Sequence, residues 1–226
     1  MKKNLLLILV FGFSLISVTT NSQSTAHSFT FGGQTRTYRV YLPVNFNSSV
    51  SLPLVLNLHG LGSNSQQQEL YTLFDNVADT GRCVVVYPDG VNGQWNVVVG
   101  CTGNSAPCTG VDDVGFISAL IDTIHANYNI DLGRVYSTGM SDGGFMTFRL
   151  ACELSCRIAA AASVTGLLQE AAPLYPGCNP TRKMPVMQIH GTADSTVPYT
   201  NSFPYASVAN TISRWQAIDA CPNSPV

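Results

Sequence analysis

The chain has 226 residues, of which 45% are hydrophobic and only 11% are charged, and its formal net charge is −2. This length and composition are typical of one globular domain with a sizeable core, and they exclude a disordered protein. The weakly acidic balance, with no cluster of basic residues, argues against nucleic acid as a partner.

Residues 1–24 have the parts of a secretory signal peptide. Lys2 and Lys3 precede an apolar run from Leu5 to Val18, and small residues follow near the expected cleavage point. The run is short for a bilayer span, which argues against a stable membrane anchor. We therefore expect a mature domain over 25–226 that is secreted, either outside the cell or into a periplasm.

Strands alternate with helices along the mature chain. Phe29–Phe31 and Arg36–Leu42 are predicted to form an antiparallel pair that turns at Gly32 and Gly33. The later strands include two short, continuous apolar runs, Leu54–Leu58 and Cys83–Tyr87, as expected where a parallel sheet is buried on both faces. They are predicted at Leu54–Leu58, Cys83–Tyr87, Arg134–Thr138, Ile158–Val164 and Pro185–Ile189, with helices at about Gln67–Thr80, Asp113–Tyr128 and Gly144–Leu150. The order predicts an α/β fold with a mostly parallel sheet flanked by helices.

Seven cysteines indicate an oxidising compartment and some disulfides. Cys101 and Cys108 flank a short polar loop and are the pair we predict to be bonded. Spacing alone does not fix the remaining pairs, and the odd number leaves one cysteine over.

The sequence Gly139-Met140-Ser141-Asp142-Gly143 is a G-x-S-x-G motif between a predicted strand and a predicted helix. A serine that attacks esters has to hold its hydroxyl clear of the backbone on a sharp turn, and the flanking glycines permit the crowding of such a turn. The context predicts a nucleophile elbow with Ser141 as the nucleophile. The alternative is an ordinary serine in a glycine-rich turn.

Two further elements of serine catalysis follow other predicted strands. Asp194 comes after the strand Pro185–Ile189, in the place expected for the acid that orients a catalytic histidine. The backbone N–H groups of Asp142 and of the Gly60-Leu61 strand exit are candidates for the oxyanion hole. All of these residues are predicted at the carboxyl ends of strands, where α/β sheets bind ligands.

Several short sequence blocks, in the same order along the chain, resemble those of the polyhydroxybutyrate depolymerase-type esterases, which are related to secreted feruloyl and acetylxylan esterases. The blocks are Leu58-His59-Gly60, Tyr87-Pro88-Asp89-Gly90, Gly110–Phe116, Arg134–Gly144 and His190-Gly191-Thr192-Ala193-Asp194 with Val197-Pro198-Tyr199. The resemblance implies a secreted serine esterase of the α/β-hydrolase fold that uses no metal or organic cofactor.

The chain departs from the family pattern at two points. Asp142 stands where the family often has asparagine, and no histidine follows Asp194, where the family has its catalytic base. The four histidines are His27, His59, His125 and His190. We expect His59 and His190 to be structural, and neither lies where a base oriented by Asp194 is expected. We expect the chain to lack the last strand, the catalytic histidine and the final helix of the fold.

The sequence thus predicts an esterase that acts through a Ser141 acyl-enzyme on feruloyl, acetyl or hydroxybutyrate-type esters, which include polymers. Trp95 and Tyr199, and also Tyr87, are candidate aromatic contacts for such a substrate, and the alternative for each is a place in the core or at the rim of the fold. The alternative is a noncatalytic relative or an inactive fragment without its base. The class of ester and the oligomeric state stay open.

Overall fold

A computed structural model of the protein describes residues 24–101, 109–169, 177–200 and 206–221. These residues form one seven-stranded sheet with helices on both faces. The strands are β1 Ser24–Phe31, β2 Gln34–Tyr41, β3 Leu52–Leu58, β4 Val84–Pro88, β5 Ile130–Met140, β6 Ala160–Val164 and β7 Val186–Ile189. The helices are α1 Ser65–Thr72, α2 Phe74–Gly81, α3 Asp113–Asn127, α4 Asp142–Glu153 and α5 Val208–Asp219.

The sheet has the order β1-β2-β4-β3-β5-β6-β7, and its last five members run parallel. β1 and β2 form an antiparallel hairpin, and β2 pairs antiparallel with β4. The hairpin turns at Gly32 and Gly33, whose φ angles of 57° and 77° suit glycine. The predicted hairpin and the predicted mostly parallel sheet are both confirmed.

Two cores cover the two faces of the sheet. The larger packs α3, α4 and Trp215 of α5 against one face, and the smaller packs α2 against the other through Val55, Val85 and Tyr87. On the α2 side, an apolar groove of about 600 Å³ lies over β5, β6 and β7. Met187 and Ile189 of β7 are 58% and 49% exposed beside it.

The helix predicted at about Gln67–Thr80 is in fact two helices. Leu73 separates α1 from α2 in a left-handed conformation with φ 49°, which an apolar sequence pattern does not reveal. The other predicted helices are confirmed with small changes of boundary. The Asp112 carboxylate caps α3 by accepting from the Gly115 N–H at 2.8 Å. α5 was not predicted.

A disulfide joins Cys152 of α4 to Cys178. This bond was not foreseen from the spacing of the cysteines. Cys101 is also disulfide-bonded, while Cys108, its predicted partner, lies outside the described residues. Cys83, Cys156 and Cys221 are free thiols among the described residues.

Within the four described ranges, no helix combines the length and the apolar character that a bilayer crossing needs. Residues 1–23, which hold nearly all of the predicted signal peptide, lie outside those ranges.

Candidate active site

Ser141 lies on the sharp turn between β5 and α4. Its φ of 54° and ψ of −119° are a conformation that residues with a side chain rarely adopt. Strain of this kind costs about 1–3 kcal/mol and persists only where the surrounding structure imposes it. This is the geometry expected of a nucleophile elbow.

The glycines on either side of Ser141 allow three backbones to meet. A Cβ atom at Gly143 would lie 2.1 Å from the carbonyl oxygen of Leu58 in β3. A Cβ atom at Gly139 would lie 2.5 Å from the carbonyl oxygen of Gly143. The end of β5, the start of α4 and the end of β3 are therefore packed too closely for any side chain at either position.

The predicted oxyanion loop lies beside Ser141. A Cβ atom placed on Gly60 would be 3.6 Å from the Cβ atom of Ser141. The Asp142 N–H begins α4 and so has no acceptor within its helix, and neither it nor the Leu61 N–H makes a hydrogen bond within the described residues. The elbow and the Gly60-Leu61 turn thus present unused backbone donors in one neighbourhood.

His59 is fully buried under this loop. Its Nδ1 is 2.8 Å from the Gly60 carbonyl oxygen, and its Nε2 accepts from the Gly90 N–H at 2.9 Å, so that Nδ1 carries the proton. Burial lowers the pKa of His59, which keeps the ring neutral. The side chain ties the exit of β3 to the exit of β4, in agreement with a structural role.

The side chain of Asp142 has a role that the sequence analysis missed. Its Oδ2 accepts from the Trp95 N–H at 2.7 Å, which ties the start of α4 to the loop after β4. Burial, with a further contribution from the negative charge of Asp113, raises the pKa of Asp142 to about 6. The residue after Ser141 thus carries a half-buried carboxyl group as well as the predicted backbone donor.

The aromatic candidates for substrate contact occupy different environments. Trp95 is only 2% exposed, and its Nε1 donates to the His59 carbonyl at 3.0 Å, so its ring packs under the oxyanion loop. Tyr87 is fully buried and donates its hydroxyl to Asp75. Burial places the rings of Trp95 and Tyr87 in the core, which is the alternative given above, whereas Tyr199 is half-buried and meets the His190 ring edge to face.

Asp194 follows β7, at the position predicted for the catalytic acid. Its Oδ1 accepts from the backbone N–H groups of Val197 and Thr196, each at 2.9 Å. These bonds lower the pKa of Asp194 and keep it ionised at neutral pH. Its other oxygen, Oδ2, lies 3.8 Å from Nε2 of His190.

Both ring nitrogens of His190 are already engaged. Nε2 donates to the Val197 carbonyl at 2.7 Å, so Nδ1 is left to accept from the Gln188 amide at 3.0 Å. The side chain is 1% exposed. His190 therefore holds the turn that carries Asp194 and has no free nitrogen to take a proton from Ser141.

The remaining histidines lie on peripheral elements. His27 of β1 stacks on Tyr38, and His125 is exposed in the last turn of α3. None of the chain's histidines is thus placed as a base between Ser141 and Asp194.

A buried ionic network supports the loop after β4. Arg36 of β2 pairs with Asp113 at 2.8 Å, with side chains 3% and 1% exposed, and Asp113 also accepts from the Asn96 N–H at 2.8 Å. Arg149 of α4 donates to the Asn96 carbonyl. These partners are far apart in sequence, and only the position of Asp113 in one of the quoted blocks hinted at them.

Comparison with known protein families identifies the family of this chain. Residues 36–174 match the family described as esterase PHB depolymerase. The chain belongs to this family.

Curated relatives of the family are similar over most of this chain. A bifunctional acetylxylan esterase/xylanase of Neocallimastix patriciarum is 31% identical over 74% of this chain and 22% of its own length. Feruloyl esterase B of Piromyces equi is 28% identical over 82% of this chain and 36% of its own length. The chain thus spans well under half the length of these two relatives.

Solved structures show the same fold. A thermostable esterase superposes with a TM-score of 0.65 at 22% identity, covering 87% of this chain and 52% of that one. An acetyl xylan esterase from Aspergillus awamori gives a TM-score of 0.64 at 17% identity, covering 88% and 83%. The sheet with its flanking helices is an α/β-hydrolase fold.

Proposed function

We propose that the protein is a secreted serine carboxylic-ester hydrolase that forms an acyl-enzyme at Ser141. The observation that carries this proposal is the strained backbone of Ser141, held by glycine contacts beside unused N–H donors. Membership of the esterase family and the names of the relatives support esters of the feruloyl or acetyl-xylan type, or polyhydroxybutyrate-type polyesters, as substrates.

In the proposed reaction, the Ser141 hydroxyl oxygen attacks the ester carbonyl and gives its proton to a base. The negative oxygen that develops accepts hydrogen bonds from the backbone N–H groups of Asp142 and of the Gly60-Leu61 turn. The bond to the leaving oxygen then breaks, and that oxygen departs as an alcohol with the proton from the base. Water releases the acid and regenerates the serine by the same steps.

Asp194 is the proposed acid of this mechanism. Two backbone N–H groups fix one of its oxygens and keep the carboxyl group ionised, which leaves Oδ2 free to orient an imidazolium. The base itself is not assigned to His59 or His190, because the hydrogen bonds described above occupy the nitrogens of both rings.

The test is covalent labelling by a fluorophosphonate, followed by hydrolysis of feruloyl, acetyl and 3-hydroxybutyrate esters. We expect the label on Ser141, and we expect Ser141→Ala to abolish both labelling and hydrolysis. Ser28→Ala, which replaces an exposed serine of β1, serves as the control and should change neither. Labelling or hydrolysis that survives Ser141→Ala would refute the proposal.

One observation favours a second candidate, a noncatalytic protein that binds esters. No histidine of the chain is placed to activate Ser141, and a serine without its base loses most of its reactivity. This candidate predicts saturable binding of an ester with neither labelling of Ser141 nor turnover. Turnover that Ser141→Ala removes would exclude it.

A further inference from the structure

The helix α1 has the reverse of the usual distribution of polar and apolar side chains. Its buried residues are Ser65, Gln68 and Glu69, while Leu70 and Tyr71 are 67% and 69% exposed. A surface helix normally turns its apolar side to the core. Contiguous apolar residues that face solvent instead commonly mark a binding surface.

The buried side chains of α1 are polar, and each of them makes a hydrogen bond or an ion pair. Ser65 donates through its hydroxyl to Asp89 at 3.0 Å, and the Gln68 side-chain amide donates to the side-chain oxygen Oδ1 of Asn57 at 2.8 Å. Glu69 pairs with Arg39 of β2. The helix is therefore fixed to the sheet without its apolar residues, and the fold does not explain Leu70 and Tyr71.

The exposed side of α1 is continuous with the nucleophile elbow. Leu70 and Tyr71 line a cleft of about 440 Å³ together with Met140, and the polar residues Ser63 and Gln67 lie along it. Met140 immediately precedes Ser141. Its Cε lies 3.5 Å from where a Cβ atom on Gly60 would stand, so its side chain reaches the oxyanion loop.

We propose that this cleft binds the aromatic acyl group of a hydroxycinnamate ester, with Leu70 and Tyr71 as the residues that select it. The assignment rests on the proposed esterase function and narrows its substrate class. A flat phenolic ring packs well on the side chains of Tyr71, Leu70 and Met140. The Ser63 hydroxyl donates to the Gln67 side-chain oxygen at 2.9 Å, which leaves the Gln67 NH2 group as a donor to the oxygen substituents of the ring and the Ser63 oxygen as an acceptor from the phenol.

The size and chemistry of the cleft favour this group over the other ester types. An acetyl group would leave most of a 440 Å³ cleft filled with water. A hydroxybutyrate unit has no aromatic face to pack against Tyr71. Of the three ester types, an aromatic acyl group would therefore bury the most apolar surface of the cleft.

The experiment measures binding of methyl ferulate by NMR titration of the whole chain in a Ser141→Ala background. We expect saturable binding that Tyr71→Ala weakens about tenfold and that Tyr71→Phe leaves within about twofold, since the ring face is retained. Leu132→Ala, at the opposite end of β5, is the matched control for loss of an exposed apolar side chain and should not alter the affinity. Methyl 3-hydroxybutyrate should bind at least about tenfold more weakly than methyl ferulate.

Absence of methyl ferulate binding, or equal affinity in the parent and Tyr71→Ala, would overturn this assignment. Because the readout is binding by a chain without its serine hydroxyl, it does not depend on catalysis. Binding at Tyr71 with no labelling of Ser141 in the parent would leave the cleft in place and reject only the serine mechanism.

Discussion

Replacing Asp142 with asparagine should stabilise the protein at neutral pH. The carboxyl group is half-buried at the start of α4, where its Oδ2 accepts from the Trp95 N–H, and its partial removal from water raises its pKa from the ordinary value of 3.8 to about 6. The folded state thus holds the proton more tightly than the unfolded state does. An asparagine oxygen can accept the same N–H without carrying a charge.

The size of the effect follows from the two pKa values of Asp142. Below about pH 3.8 the group is protonated in both states, and it contributes no pH-dependent difference. As the pH rises to about 6 the unfolded state ionises first, and the folded protein loses stability by about 1.36 kcal/mol for each pH unit between those values. Asp142→Asn should therefore be more stable than the parent by about 3 kcal/mol at pH 7 and by much less near pH 4.

The assay is urea unfolding of the parent and of Asp142→Asn at several pH values between 4 and 7. Asp122→Asn serves as the control with opposite sign, because the hydrogen bond from Arg157 lowers the pKa of this exposed carboxyl group. That pairing stabilises the parent at neutral pH, so the small deficit of the control should shrink as the pH falls. An advantage of Asp142→Asn that is the same at pH 4 and pH 7 would refute the reasoning.

Three further changes probe the packing around the site. Gly143→Ala should cost about 3 kcal/mol of unfolding free energy, because the added Cβ would lie 2.1 Å from a backbone oxygen of β3. A Cβ on Gly81 would have nothing within 4 Å, so the control Gly81→Ala should be neutral or slightly stabilising when both variants are compared by thermal melting. Arg36→Met should cost about 3–5 kcal/mol in urea unfolding, because it leaves the buried Asp113 carboxyl group unpaired, and a cost below 1 kcal/mol would contradict the network described here. Cys152→Ser should cost about 3.5 kcal/mol, from a disulfide that spans 26 residues, and equal midpoints for parent and variant under non-reducing conditions would contradict that value.

Patterns that depend on neighbouring residues predicted the sheet well. The Gly32-Gly33 turn, the apolar runs of β3 and β4, and the periodicity of α3 each carry their own signal, and the structure confirms all of them. The break at Leu73 could not be predicted in this way. A left-handed leucine arises from the way α1 and α2 meet the sheet, and leucine itself has no preference for it.

The candidate site likewise combines local features that the sequence predicts with long-range contacts that it does not. The elbow and the Gly60 loop follow from local motifs, and the structure brings them together at Ser141. The hydrogen bonds from Trp95 to Asp142 and from Arg36 to Asp113 join residues that are 47 and 77 positions apart in the sequence, and no local pattern encodes them. The choice between core and substrate contact for Trp95 stayed open for the same reason, since the sequence of a loop does not show whether its aromatic residue faces a substrate or packs beneath the loop.

The backbone of Ser141 also bears on how this chain has been shaped. A residue held at φ 54° and ψ −119° lowers the stability of the fold, and glycine would occupy the same place with less strain. A protein selected only to fold would have little reason to keep a serine there. The serine lowers the stability of the fold at this position, as is expected where the hydroxyl group serves a chemical function.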